Sequence, residues 1–124
     1  MEFESRLFEW INQALADGMP PRVKAFNFNL FETGPDFGIE LIGSSEFDEA
    51  DSDWACEEVF EPKQRQLRIP LSYSGGDWEQ CLESMKAAIQ VYLQTDEPGA
   101  AILHQAEGIG IGFVDGDLEL VARL

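Results

Sequence analysis

Chemically capable residues are few in this chain, and most of them are acids. Between Glu46 and Glu61, in the run EFDEADSDWACEEVFE, eight carboxylates occur without a Lys or Arg: Glu46, Asp48, Glu49, Asp51, Asp53, Glu57, Glu58 and Glu61. Phe47, Trp54 and Phe60 are set among them. Such a run offers three kinds of chemistry: calcium binding, acid–base catalysis, or a negative field for a basic partner. An EF-hand loop needs Gly at its sixth position and Glu at its twelfth. Counting from Asp48 gives Asp53 and Val59; counting from Asp51 gives Cys56 and Pro62, so both frames fail. No metal and no cofactor is expected. For acid–base work the carboxylates are too many for any pair to stand out.

The other reactive side chains point no more sharply to an enzyme. His104 is the single histidine, with Glu107 three residues on, a pair able to act as a general base. The same position suits a surface histidine near a helix C-terminus, where a cation is favoured. Cys56 and Cys81 form no Cys-X-X-Cys, and neither has a base beside it in sequence. With no export signal at MEFESRLFEW, they read as reduced thiols of a cytoplasmic protein. Gly108, Gly110 and Gly112 invite comparison with a phosphate loop, but position 113 is Phe and a hairpin follows, where that loop needs glycine and a helix. Alternate glycines on one strand face mark close packing of a neighbour. No catalytic residue is assigned.

The docking chemistry survives these exclusions. The chain carries 24 acids against 8 bases, a net charge of −16 over 124 residues. That field repels nucleic acid and anionic membrane and attracts basic proteins. Charge clustered in this way raises association rates and selects partners, and exposed aromatics add anchoring contacts. Glu46, Phe47, Asp48, Glu49, Asp51, Asp53, Trp54, Glu57 and Glu58 are therefore the candidate partner-binding residues. In an extended segment Asp51 and Asp53 would share one face, about 6.6 Å apart, and imitate a phosphate backbone.

The elements that must hold this surface can be read from periodicity. Phe3, Leu7, Trp10, Ile11, Ala14 and Leu15 recur at helical spacing, predicting a helix over 2–17 that stops at Gly18 and Pro20-Pro21. Residues 22–32 alternate, placing Phe26, Phe28 and Leu30 on one face and Asn27, Asn29 and Phe31 on the other. The turn TGPD and the alternation of Phe37, Ile39 and Leu41 complete a hairpin. Residues 54–60 suit a short strand. In 65–71, Leu67, Ile69 and Leu71 alternate inward.

Asp77, with Gln80 three residues later, starts a second helix whose apolar stripe is Trp78, Leu82, Met85, Ile89, Tyr92 and Leu93. A third, short helix is expected from Pro98 to Glu107, stopped by Gly108. The chain then turns at Asp115-Gly116, a type I′ pair, setting Phe113 opposite Leu118 and Ile111 opposite Leu120. The expected fold is α+β, one domain over 1–124. An antiparallel or mixed sheet of about five strands carries two main helices and one short helix on one face.

The segments DWACEEVFEP, IPLSYSGGDWEQCL and GIGIGFVDGDLEL resemble those of small bacterial proteins of unassigned function. In size and acidity the chain is similar to immunity proteins that neutralise antibacterial toxins. The resemblance implies an inhibitor that plugs a toxin active site, several such toxins being basic nucleases, and it carries over no site residue. The expected function is non-enzymatic protein binding through the acidic surface, with a basic toxin as the specific candidate. The alternative is a small enzyme or ligand-binding domain with a pocket between sheet and helices.

Overall fold

The computed structural model describes residues 2–114 and 116–123. Strand β1, Ala25–Glu32, and strand β2, Phe37–Ser44, form the expected hairpin, with Phe28 opposite Leu41 and Leu30 opposite Ile39. The turn between them closes as its residues dictate. Gly34 takes φ 104°, and the Thr33 hydroxyl donates to Asp36 Oδ1 at 2.8 Å. Strand β3, Glu58–Phe60, and strand β4, Gln66–Ile69, lie end to end along the far side of β2.

On its other side β1 pairs in parallel with β5, Gly108–Phe113, and β5 pairs antiparallel with β6, Glu119–Arg123. The sheet is mixed and six-stranded, and the fold is α+β. Helix α1 spans Glu2–Ala14, one-turn α2 Leu71–Ser74, α3 Trp78–Leu93 and α4 Pro98–Leu103.

One face of the sheet carries the main core. Leu7, Ile11, Met85, Ile89, Tyr92 and Leu103 pack against Phe26, Phe28, Leu30, Ile39, Leu41, Ile109 and Ile111, all fully buried. Asn12 fastens α1 to α4: its Oδ1 accepts from the Tyr92 hydroxyl and the Gly99 N–H, and its Nδ2 donates to Glu97. None of the helices among the described residues is long and apolar enough to cross a membrane.

Several local expectations are corrected. The first helix ends at Ala14, with Gly18 at φ 90° beyond a further turn. The third ends at Leu103, and Gly108 begins β5 instead of stopping a helix. Leu71 opens α2 and is exposed. Residues 52–56 are a 3₁₀ turn, leaving only 58–60 as strand.

The final hairpin pairs Ile111 with Glu119 and Gly110 with Leu120, one residue from the expected register, and a bulge near Ile109 and Gly110 absorbs the difference. A one-residue slip moves side chains to the opposite face. Leu118 and Leu120 thereby lie on the glycine face, and a methyl at Gly110 would come within 3.0 Å of Leu118. Leu118 thus occupies part of the space left at Gly110. The expected Asp115-Gly116 turn falls partly outside the described residues; the Gly116 N–H bonds the Phe113 carbonyl at 2.9 Å.

Candidate functional site

The acidic run folds onto the sheet face that the helices leave open. Its base is closed where Ser45 N–H meets the Glu57 carbonyl at 3.0 Å and where Glu58 pairs with Ser44. Asp51 caps the 3₁₀ turn Ser52–Cys56 by accepting the Asp53 N–H at 3.0 Å, and Asp48 accepts the Ala50 N–H at 2.9 Å. These bonds hold the loop in a compact form, so Asp51 and Asp53 do not lie along an extended strand. The extended backbone that the expected phosphate-like spacing requires is replaced by a 3₁₀ turn.

Trp54 pins the loop down. Its ring is 4% exposed and stacks edge-on to Phe47 with centroids 5.3 Å apart, while its carbonyl accepts the Ser44 hydroxyl at 2.5 Å. The floor beneath is the glycine row. A methyl at Gly108 would collide with the Phe47 ring, and one at Gly110 would come within 3.1 Å of Trp54. Gly108 is therefore explained by close approach of the Phe47 ring, Gly110 by the Asn27 amide, Leu118 and Trp54, and Gly112 by the main chain at Asp117 and Leu118.

The aromatic residues of the run are less exposed than its acids. Trp54 is buried beneath the loop; Phe47 and Phe60 are half-buried, Phe60 packing edge-on to Phe26 at 6.3 Å. The sheet face beside the loop is itself largely covered. Asn27 is 2% exposed and donates to Asn29 Oδ1 at 2.7 Å, Asn29 is half-buried, and the Phe31 ring covers Gly38.

The acids remain outside. Glu46, Asp48, Glu49, Asp51, Asp53, Glu57, Glu58 and Glu61 are all exposed. Arg65 takes two of them, Glu58 at 3.0 Å and Glu61, and holds the largely buried carboxylate of Glu40 at 2.8 Å. The Glu40 hydrogen bond, together with the nearby negative charges, pushes the Arg65 guanidinium further up its already high range. Arg68 turns away from the run to Asp36 at 2.6 Å. The Thr33 hydroxyl, then Arg68, hold the Asp36 carboxyl below its usual range. Among the described residues, no Lys or Arg pairs with Glu46, Asp48, Asp51, Asp53 or Glu57. Five carboxylates thus share one anchored loop with no ion pair to a Lys or Arg among the described residues.

A second feature was hidden in the sequence. Trp78 fits the apolar stripe of α3, yet it is 54% exposed. Asp77 caps the helix by accepting the Gln80 N–H at 2.8 Å, which starts α3 at Trp78. The indole then stands beside the end of β5, edge-on to Phe113 with centroids 6.2 Å apart. Between them lies a cavity of about 480 Å³, walled by Phe31, Trp78, Leu82 and Phe113 and bordered by Glu32 and Asp117. Periodicity assigns a helical face; it does not reveal where a helix end overhangs its sheet.

The groups considered for catalysis lie elsewhere. The His104 ring is held by the Leu93 carbonyl at 2.8 Å. Cys81 is fully buried in the core, and burial pushes its thiol up to about 12; Cys56 is exposed. No group of His, Cys, Asp and Glu able to hold a metal ion occurs among the described residues. No protein-family model matches the chain, and no curated protein matches it.

Proposed function

We propose that the protein is a binding module whose acidic loop docks a basic protein. The observation that supports this most directly is the pairing of a rigid anchor with unmatched charge. Trp54 fixes the loop on the sheet, while Glu46, Asp48, Asp51, Asp53 and Glu57 meet no cation of the chain among the described residues. Like charges held together repel one another, and a basic partner relieves that repulsion on contact. Because the loop is already ordered, little conformational entropy is lost when the partner arrives. The specific candidate, antagonism of a basic nuclease toxin, rests on the sequence resemblance and on this charge.

The test compares wild type with the triple variant Glu46→Gln/Asp51→Asn/Asp53→Asn; the amide introduced at position 51 retains an oxygen able to cap the 3₁₀ turn. Both are immobilised and exposed to lysate of the source organism at low and high salt. Wild type is expected to retain one predominant basic protein at low salt and to release it as salt rises. The triple variant is expected to retain it at least tenfold less. If that partner is a nuclease, stoichiometric addition of the module abolishes its cleavage. Capture indifferent to salt and to the three amides, or a dialysable small molecule as the sole ligand, overturns the proposal.

A further inference from the structure

The cavity beside Trp78 has a chemistry distinct from that of the acidic loop. Its walls are aromatic and aliphatic, and its charged members, Glu32 and Asp117, are both acids. The surroundings of the indole continue the same sign: Asp77 borders the neighbouring hollow towards α2, and Glu79 and Glu83 border the one along α3. Lys86, the base in that second hollow, is engaged with Glu119 at 3.0 Å. A half-exposed indole, a second ring nearly perpendicular to it and two carboxylates together favour a cation with a flat, weakly hydrated face. Arginine meets that description better than lysine: its guanidinium lies on an aromatic face while its N–H fork reaches carboxylates.

The position of the cavity ties it to the acidic loop. Phe113, Val114 and Gly116 border it on one side and, on the other, border a hollow of about 410 Å³ whose far wall holds Ser52, Asp53 and Cys56. A protein resting on the acidic loop therefore reaches Trp78 by crossing a single chain connection. The exposed side chain of Val114, which borders both hollows, lies on the route and offers apolar contact to the stem of a long side chain.

We propose that the Trp78 cavity receives an arginine side chain of the basic partner. The claim rests on the docking proposal above for the identity of the partner, but the chemistry of the cavity can be tested without that partner. The probe is the peptide acetyl-Gly-Gly-Arg-Gly-Gly-amide, with its citrulline analogue as a neutral isostere. Binding is followed by amide chemical shifts of the ¹⁵N-labelled protein and by the Trp78 indole N–H.

The expected result is saturable shifts at Trp78, Phe113, Val114 and Asp117 in the millimolar range. The citrulline peptide should bind roughly fivefold to tenfold more weakly, as should the arginine peptide to Trp78→Leu and to Glu32→Gln/Asp117→Asn. Trp78 is exposed, so Trp78→Leu is expected to keep the wild-type spectrum away from the cavity, and the double amide variant gives an independent route should it not. Equal shifts from the citrulline peptide, unchanged binding by both variants, or shifts confined to residues 46–58 overturn the arginine assignment. Failure here with salt-sensitive capture intact refutes the cavity claim and leaves the acidic-loop proposal standing. Saturable peptide binding at Trp78 without any captured basic protein refutes the acidic-loop proposal, and with it the partner assigned here, and leaves only the arginine chemistry of the cavity standing.

Discussion

Replacing Trp54 by Ala tests whether the acidic loop is an integral part of the fold. The ring is 4% exposed and lies against Phe47 and the glycine row of β5. Burying a tryptophan removes roughly 200 Å² from water, which at about 25 cal/mol per Å² amounts to some 5 kcal/mol. Large-to-small aromatic replacements in cores cost about 3–5 kcal/mol. The bond from Ser44 to the residue-54 carbonyl survives the change, since it is a main-chain acceptor. A loss of about 3 kcal/mol is therefore expected.

With a urea slope near 1.5 kcal/mol per M, that lowers the unfolding midpoint by about 2 M. Circular dichroism at 222 nm is the suitable probe because it does not depend on the deleted indole. Cleavage by a Glu-specific protease within residues 46–58 should accelerate in parallel. Trp54→Phe keeps part of the ring and should fall between the two. A midpoint within 0.5 M of wild type would refute the reasoning about the anchor (a shift of under about 1 kcal/mol at that slope). Faster loop cleavage at an unchanged midpoint would show that the loop opens independently of the sheet.

Other consequences can be checked with less effort. Arg65→Ala strands the Glu40 carboxylate, whose side chain is 12% exposed, and should cost about 1–3 kcal/mol in urea unfolding; adding Glu40→Met should recover most of it. Asp36 has a folded pKa below its usual 3.8, so its contribution is present above that value and is lost as pH falls through the folded pKa. Asp36→Asn should accordingly lower Tm at pH 7, and the gap to wild type should narrow as the pH drops below 3.8. A thiol reagent at pH 8 should titrate Cys56 promptly and Cys81 only after denaturation, giving one fast thiol per chain in the native protein.

What the sequence discloses follows the reach of each signal. Alternation in β1 and β2 and the helical recurrence in α1 are local, repeated and tied to burial, so Phe28, Leu41 and Ile11 lie on the faces their spacing assigns. Asp77 names its own cap because a capping bond spans three residues. The parallel pairing of β1 with β5 has no local signature; it depends on distant segments finding each other. The register of β6 escapes the rule that opposed apolar residues share a face, because that rule presumes a tight turn. The connection here runs from Val114 to Leu118, and Leu118 lies against Gly110 and Gly112.

For the site, the acids are legible as charge, and their exposure follows from that charge. The destination of the rings is not. Trp54 and Trp78 look alike in sequence, an aromatic after an acid, yet one is under the loop and the other stands over a helix end. Which of them is covered depends on tertiary neighbours.

The central place of β1 also constrains how the chain is made. Its hairpin partner is synthesised next, but its parallel neighbour arrives only with residues 108–113, after the helices α2, α3 and α4 have been translated. Until then β1 keeps one row of main-chain donors and acceptors unpaired, beside Phe26 and Phe28, which lack part of their cover. Distant pairings of this kind slow folding and leave sticky edges in the interim. A ribosome-stalled nascent chain ending before Gly108 should accordingly bind holdase chaperones, and one extended past Arg123 and clear of the exit tunnel should release them.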